Sequence, residues 1–352
     1  MASLKRFKGD LARRYDRTLE RLARIPYRRG GVRIKWFDDW PDELDEALVD
    51  IGVRDEFGVD AHRIAAQPRD GVKKLHAIVT RHREPIAVIS LRRRGTFWEP
   101  VTAQCLPEPT FAARAGELGC ALRALGIEIR VEASQGWGER HGADERWPET
   151  SFVADIAPPA DYETHWRSSS HWKKVRSARN RTADFELAYD DVGDLRWTVD
   201  RWEANWRDDS HQAAVAAADR IAVWTHLLAN GQVQTVSLRE NGVPIAGAVN
   251  VAVGSRLTGQ CIARDLDHPA KSSGHRVIDA GFEHARAAGF QTFDLGGSVG
   301  YKSAWAPPGE VRSVAVFEPR WRRAPGQLRR LGETSRRRFT SQTDAPAPAP
   351  SG

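Results

Sequence analysis

The chain has 352 residues, 41% of them hydrophobic, with 13 Trp and a formal charge of +6. That composition excludes global disorder, the length suits about two domains, and no apolar run approaches the ~20 residues of a membrane-spanning helix. The charge is unevenly placed: residues 1–35 carry a net +9 and residues 320–352 a net +6, so the 284 residues between them carry a net −9.

The first expected element is a basic amphipathic helix within residues 1–30. Leu4, Phe7, Leu11, Tyr15, Leu19 and Leu22 recur at spacings of three and four, ringed by Lys5, Arg6, Lys8, Arg13, Arg14, Arg17, Arg21 and Arg24. Such a helix suits docking on its own protein or peripheral contact with an anionic membrane. The start lacks the continuous apolar stretch of a signal peptide, and Cys105, Cys120 and Cys261 have neither metal-ligand nor disulfide spacing. The expectation is a cytoplasmic protein without a metal, with membrane association through the basic ends as a variant.

The middle of the chain resembles itself. Residues 75–98 and 234–257 align without a gap, Pro85-Ile86-Ala87 falling on Pro244-Ile245-Ala246 and Gly95 on Gly254. Both read as a β-meander: two alternating strands around a polar turn, Arg81 to Glu84 or Glu240 to Val243, then a second turn at the shared glycine and a third strand. A helical block follows in each copy, closed by Gly126 or Gly289 where a helix end calls for a left-handed residue, and then another strand. The repeated order predicts two related α/β domains.

Between the copies, residues 166–181 form a short helical run crowded with Lys173, Lys174, Arg176, Arg179 and Arg181. It suits an anionic acceptor or carrier, or simply a solvated face. Trp202 and Trp206 stand four apart, a spacing typical of core. Farther on, Arg264-Asp-Leu-Asp-His-Pro-Ala-Lys-Ser-Ser-Gly-His leads from a strand into a helix that buries Val277, Ile278, Gly281, Phe282 and Ala285. A Lys, Ser, Ser, Gly loop at a helix start fits a pyrophosphate, and equally an ordinary loop capped by Ser272 or Ser273.

The series Trp202-Glu-Ala-Asn-Trp206-Arg207, Val236 to Ala246, Ser273-Gly274, Ala288 to Asp294 and Gly300-Tyr301-Lys302 resembles the GNAT-type acyltransferase domain of the cellulose-biosynthesis (CelD/BcsL-like) acetyltransferase family. That family is similar in turn to the Fem-type aminoacyl transferases, which carry two GNAT-like domains. The resemblance implies a mixed α/β sheet in tandem GNAT-like domains, the first degenerate: a basic helix over 1–30, a degenerate domain over 31–155, a catalytic domain over 156–318, and an Arg-rich segment with a Pro/Ala tail over 319–352.

It further implies an N- or O-acyltransferase that moves an acyl group, acetyl foremost, from acyl-CoA to an amine or hydroxyl. Pantetheine would run along the strand ending near Ile262 and Ala263, and the phosphates would rest on Lys271, Ser272, Ser273, Gly274 and His275. In that loop Gly274 is kept, while Lys271 stands for the family's Gln or Arg and Arg276 for its small residue. Asp294 would orient or deprotonate the acceptor, Tyr301 donate a proton and Lys302 stabilise the oxyanion; the same residues also suit a turn cap, a core ring and a surface charge. Trp206, Arg207, Arg264, Lys173 and Lys174 are the candidate acceptor-binding residues. The alternatives are transfer from aminoacyl-tRNA to a cell-wall precursor, in which tRNA would be the nucleic-acid partner, and a non-catalytic binding protein on a GNAT scaffold. The acceptor would be a small molecule or part of the cell envelope.

Overall fold

The computed structural model describes residues 31–318 except 53–57, 68–71, 104, 108–109, 158–169, 207–216, 270–271 and 298–299. The expected helix over 1–30, the Arg-rich segment and tail over 319–352, Lys271 and Arg207 lie outside the described residues.

The meander expected around residues 75–98 is present as β2 (Lys74–Arg81), β3 (Glu84–Arg94) and β4 (Phe97–Pro100), and its repeat as β9 (Val233–Glu240), β10 (Val243–Val253) and β11 (Arg256–Arg264). In both copies the first turn places two successive residues at positive φ, His82 and Arg83 in one and Asn241 and Gly242 in the other. This is the twist that a two-residue hairpin requires. Gly95 and Gly254 make the second turn at φ 58 and 56. The shared Pro-Ile-Ala has a physical meaning. Each hairpin slips register there, between the pairs of Pro85 and Ala87 and between those of Pro244 and Ala246, because a proline has no N–H for the ladder and a bulge absorbs the loss.

The repeat extends to whole topology. Strands β1 (Val32–Phe37) to β4 and then β6 (Ile129–Ser134) follow the same order as β8 (Glu186–Tyr189) to β11 and then β12 (Thr292–Asp294). In each copy the last strand pairs parallel with the third meander strand, a crossover made by α3 (Leu118–Leu125) or α8 (Ser273–Ala287). Gly126 at φ 72 and Gly289 at φ 87 end these helices. Beyond Gly289, Phe290 N–H returns to the carbonyl of Ala285, the six-to-one bond of a Schellman turn.

The two halves form one sheet through β7 (Asp144–Asp155) and β13 (Pro308–Phe317), in the order β1-β2-β3-β4-β6-β13-β7-β12-β11-β10-β9-β8, with the short β5 (Ala112–Ala113) against β3. Strand β13 comes from the end of the second half yet sits between β6 and β7. Helices cover both faces. On one face α1 (Asp42–Ile51) and α2 (Gly58–Ala66) are followed by α6 (Val192–Trp206) and α7 (Ala217–Ala229); on the other lie α3, α4 (Trp137–His141), α5 (Ser170–Arg181) and α8. One core joins the halves, with Ala65, Val101 and Cys105 packed among Leu195, Val199, Trp224 and Val249.

Candidate active site

Strand β11 stays paired with β10 to Arg264 but meets β12 over only three residues, the last pair being Thr258 and Asp294. Just past that point β11 bulges, as Asn250 faces Gly259 while Val249 faces Cys261. The strands part there, and a cavity of about 270 Å³ occupies the gap. Gly259 to Ile262 form one wall, Val277, Ile278 and Gly281 of α8 another, and Trp202, Tyr301 and Lys302 also line it.

The α8 wall of this cavity begins at Val277, one turn after the start of the helix. Ser272 occupies the N-cap position but makes no side-chain capping bond, so it caps none of the first amides, while the His275 and Arg276 N–H groups donate to its carbonyl. A Cβ on Gly274 would meet nothing within 4 Å. No packing among the described residues demands glycine there. Lys174 on α5 and Arg264 at the end of β11 both act on His275, whose pKa falls through desolvation first and then through these two cations. Burial likewise lowers His171 to about 4; its ring packs edge-on against Trp305 at 4.6 Å.

Helix α5 is more than a solvated face. Arg179 reaches both carboxylate oxygens of Asp279 at 2.7 Å and Glu283 at 2.7 Å, pinning α5 to α8; this pairing raises its pKa further. Lys173 and Lys174 remain exposed.

The loop after β12 carries the remaining candidates. Asp294 is fully buried: one carboxylate oxygen is bonded to Arg256 and the other accepts the Gly296 N–H at 2.8 Å. It does not line the cavity. Both oxygens being engaged, it positions the loop, and the role of acceptor base does not suit its geometry. Gly296 turns at φ 75, and a Cβ there would lie 3.5 Å from Lys302 Nζ. At Gly297 a Cβ would come within 2.3 Å of a Glu149 carboxylate oxygen, so the Glu149 carboxylate of β7 lies directly against the loop. Lys302 is pulled below its ordinary pKa by desolvation and held back by Asp294 and Glu149. Tyr301, 44% exposed, titrates above its ordinary value through desolvation of its phenol.

Three lining or neighbouring residues were not singled out as ligands by sequence. Trp202 reaches the cavity from α6 while the Arg220 guanidinium stacks at 4.5 Å on its ring. Glu149 and Asn250 carry no local pattern; only pairing across the sheet places them. Ile262 lines the cavity and Ala263 is buried beside it. Trp206 ends α6, its side chain lying outside the described residues.

The corresponding place in the first half is different. There α3 opens after Glu117, whose carboxylate binds Arg81 at 2.5 Å, so an acidic side chain already stands at the helix start where the second half has serine and glycine. Among the described residues no group of three or more His, Cys, Asp or Glu is arranged to hold a metal, and no helix is long and apolar enough to cross a membrane.

Residues 169–303 match the family described as the acetyltransferase (GNAT) domain. No curated protein matches the sequence. Among solved structures, L-PGS from Bacillus licheniformis is 10% identical, with TM-score 0.50, covering 80% of this chain and 93% of its own. A DUF2156 domain from Agrobacterium fabrum is 16% identical, with TM-score 0.49, covering 83% and 96%. The first of these likenesses speaks to fold alone. The chain is thus an acyltransferase with a GNAT-like mixed α/β fold, residues 169–303 being the part similar to the GNAT domain.

Proposed function

We propose that the second half transfers an acyl group from acyl-CoA to an amine or hydroxyl, acetyl being the smallest group to consider, and that the first half is a degenerate GNAT-like domain without chemistry of its own. The observation that carries this reading is the cavity where β11 and β12 part, which Lys302 lines together with Gly259 to Ile262 of β11 and with α8, the helix whose start at Ser272 has no side-chain cap. The five steps from Gly259 to Arg264 span roughly 17 Å at strand rise, the length of an extended pantetheine arm, with phosphates at the cationic end. The narrower affinity with the cellulose-biosynthesis branch rests on the residue series from Trp202 to Lys302.

In this reaction the acceptor attacks the thioester carbonyl, forming the new C–N or C–O bond and an oxyanion that the Lys302 ammonium stabilises at close range. Collapse breaks the C–S bond. The departing thiolate takes a proton from Tyr301, which a raised pKa keeps protonated, and the acceptor's proton leaves to solvent. Asp294 and Arg256 hold the loop that presents Lys302.

A melting experiment tests the donor. CoA at a hundredfold excess over its Kd should stabilise the protein by about 2.7 kcal/mol, a rise of several degrees, and tRNA should not. Gly274→Val, which adds bulk to open space, should abolish the shift with little change in the unliganded melting temperature. Stabilisation by tRNA but not by CoA would favour the aminoacyl-tRNA alternative.

A further inference from the structure

The cavity at the splay is bounded from both faces of the sheet. Val277, Ile278 and Gly281 of α8 wall it on one side and Trp202 of α6 on the other. The two helices pack on opposite faces of β10, α8 over Ala246 and Ala248, α6 over Val249 and Val251. The donor reading places acyl-CoA on the α8 side, which leaves the Trp202 side for the acceptor. The indole there is held in place: the Arg220 guanidinium, itself 3% exposed and bonded to Glu203, stacks on it at 4.5 Å.

Gln260 supplies a neutral polar group. The bulge leaves it opposite no residue of β10, since Asn250 faces Gly259 and Val249 faces Cys261, and the pairing of β11 with β12 has already stopped at Thr258. Bulges of this kind re-aim a side chain beside a site. Gln260 lines the cavity and is half-buried, and its carboxamide is not sealed from solvent as Asn250 Nδ2 is. Among the described residues Lys302 is the one charged side chain that lines the cavity, and no carboxylate does. Asp294 and Glu149 act on Lys302, but Asp294 has both oxygens engaged by Arg256 and Gly296, and neither acid lines the cavity.

Building on the acyl-CoA reading, we propose that the acceptor is a neutral polyol, a sugar included, that one of its hydroxyls is acylated, and that Gln260 and Trp202 select it. The acceptor oxygen forms the new C–O bond with the thioester carbonyl carbon and the C–S bond breaks. The hydroxyl proton leaves to solvent, the thiolate takes the proton of Tyr301, and Tyr301 regains one from solvent. An amine reaches the cavity from neutral water as an ammonium. Beside Lys302, with apolar walls and no carboxylate to receive it, it meets like charge at short range, a repulsion of the kind that excludes wrong partners. A hydroxyl brings no charge. A second hydroxyl on the same molecule both donates to and accepts from the Gln260 carboxamide, while its carbon skeleton packs against the fixed Trp202.

Release of CoA thiol from acetyl-CoA by the full chain at neutral pH tests this with matched acceptors, glycerol against serinol and methyl glucoside against glucosamine. The neutral member of each pair should be the faster acceptor by about tenfold or more. Gln260→Glu, which puts a carboxylate into the cavity, should narrow or reverse that ratio. A faster amine in either pair overturns the assignment, and so does a ratio that Gln260→Glu leaves unchanged. The comparison on the unmodified chain decides even if the variant fails to fold. Thiol release with neither class, in a chain that binds CoA by calorimetry, removes the polyol assignment alone, whereas failure to bind CoA removes the acyl-CoA reading with it.

Discussion

Lys302→Ala should lower turnover of an acyl-CoA by about 10²–10³-fold, the usual cost of removing one preorganised oxyanion donor, while the Kd for CoA changes by less than about threefold. The asymmetry follows from where the charge sits. Lys302 lines the cavity, whereas the cations that act on His275, Lys174 and Arg264, do not. Desolvation weakens its hold on the proton, and Asp294 and Glu149 offset part of that loss. A charge kept in a dry site interacts strongly with an oxyanion that exists only on the reaction path. Lys302→Arg should recover only part of the rate, because a planar fork does not replace a point charge in the same space. Release of free CoA thiol, measured with a panel of amines and alcohols, gives the rate, and calorimetry gives the Kd. Loss of both in Lys302→Ala would make the lysine a binding or folding residue.

The largest stability effect is expected far from the cavity. Asp219→Ala should cost about 3–5 kcal/mol. Lys74 on β2 meets Asp219 on α7 at 2.8 Å, with side-chain exposures of 2% and 0%, and also donates to the Ala65 carbonyl at 2.7 Å. The pair ties the first half to the second across their shared core. Removing the carboxylate takes from a buried ammonium the counter-charge that Asp219 supplies, next to a second buried cation, Arg220, which is paired with Glu203. Replacing both members, as Lys74→Met with Asp219→Leu, should return most of the loss, since an apolar pair of similar volume is often neutral. Urea unfolding of the single and double variants at equal m-value measures this. A cost under about 1 kcal/mol for Asp219→Ala would show that the pair is not sealed from water.

Much of the architecture was readable because it is written in local chemistry, twice. Asn241-Gly242 signals its turn outright, and His82-Arg83 becomes legible once the repeat is aligned with it. Pro85 and Pro244 mark the same bulge, and Gly126 and Gly289 the same kind of helix end. The buried face of α8 follows from spacing. What stayed hidden depends on contacts distant in sequence. Nothing local in residues 308–317 indicates that β13 inserts beside β6. Arg179 reads as one of several solvated cations because its partners lie about a hundred residues away. Asp294 stands at the expected strand end, but its engagement with Arg256 could not be read from its neighbours. Glu149 and Asn250 are ordinary strand residues until the sheet brings a loop and a cavity to them.

Hydrogen exchange on the full chain with and without saturating CoA tests the central claim most directly. The proposed site predicts slowed exchange in residues 259–263 of β11 and 272–276 at the start of α8, with no change in the corresponding first-half segments, 98–100 and 117–121. Protection confined to the first half, or none at the start of α8 under saturating CoA, would contradict it.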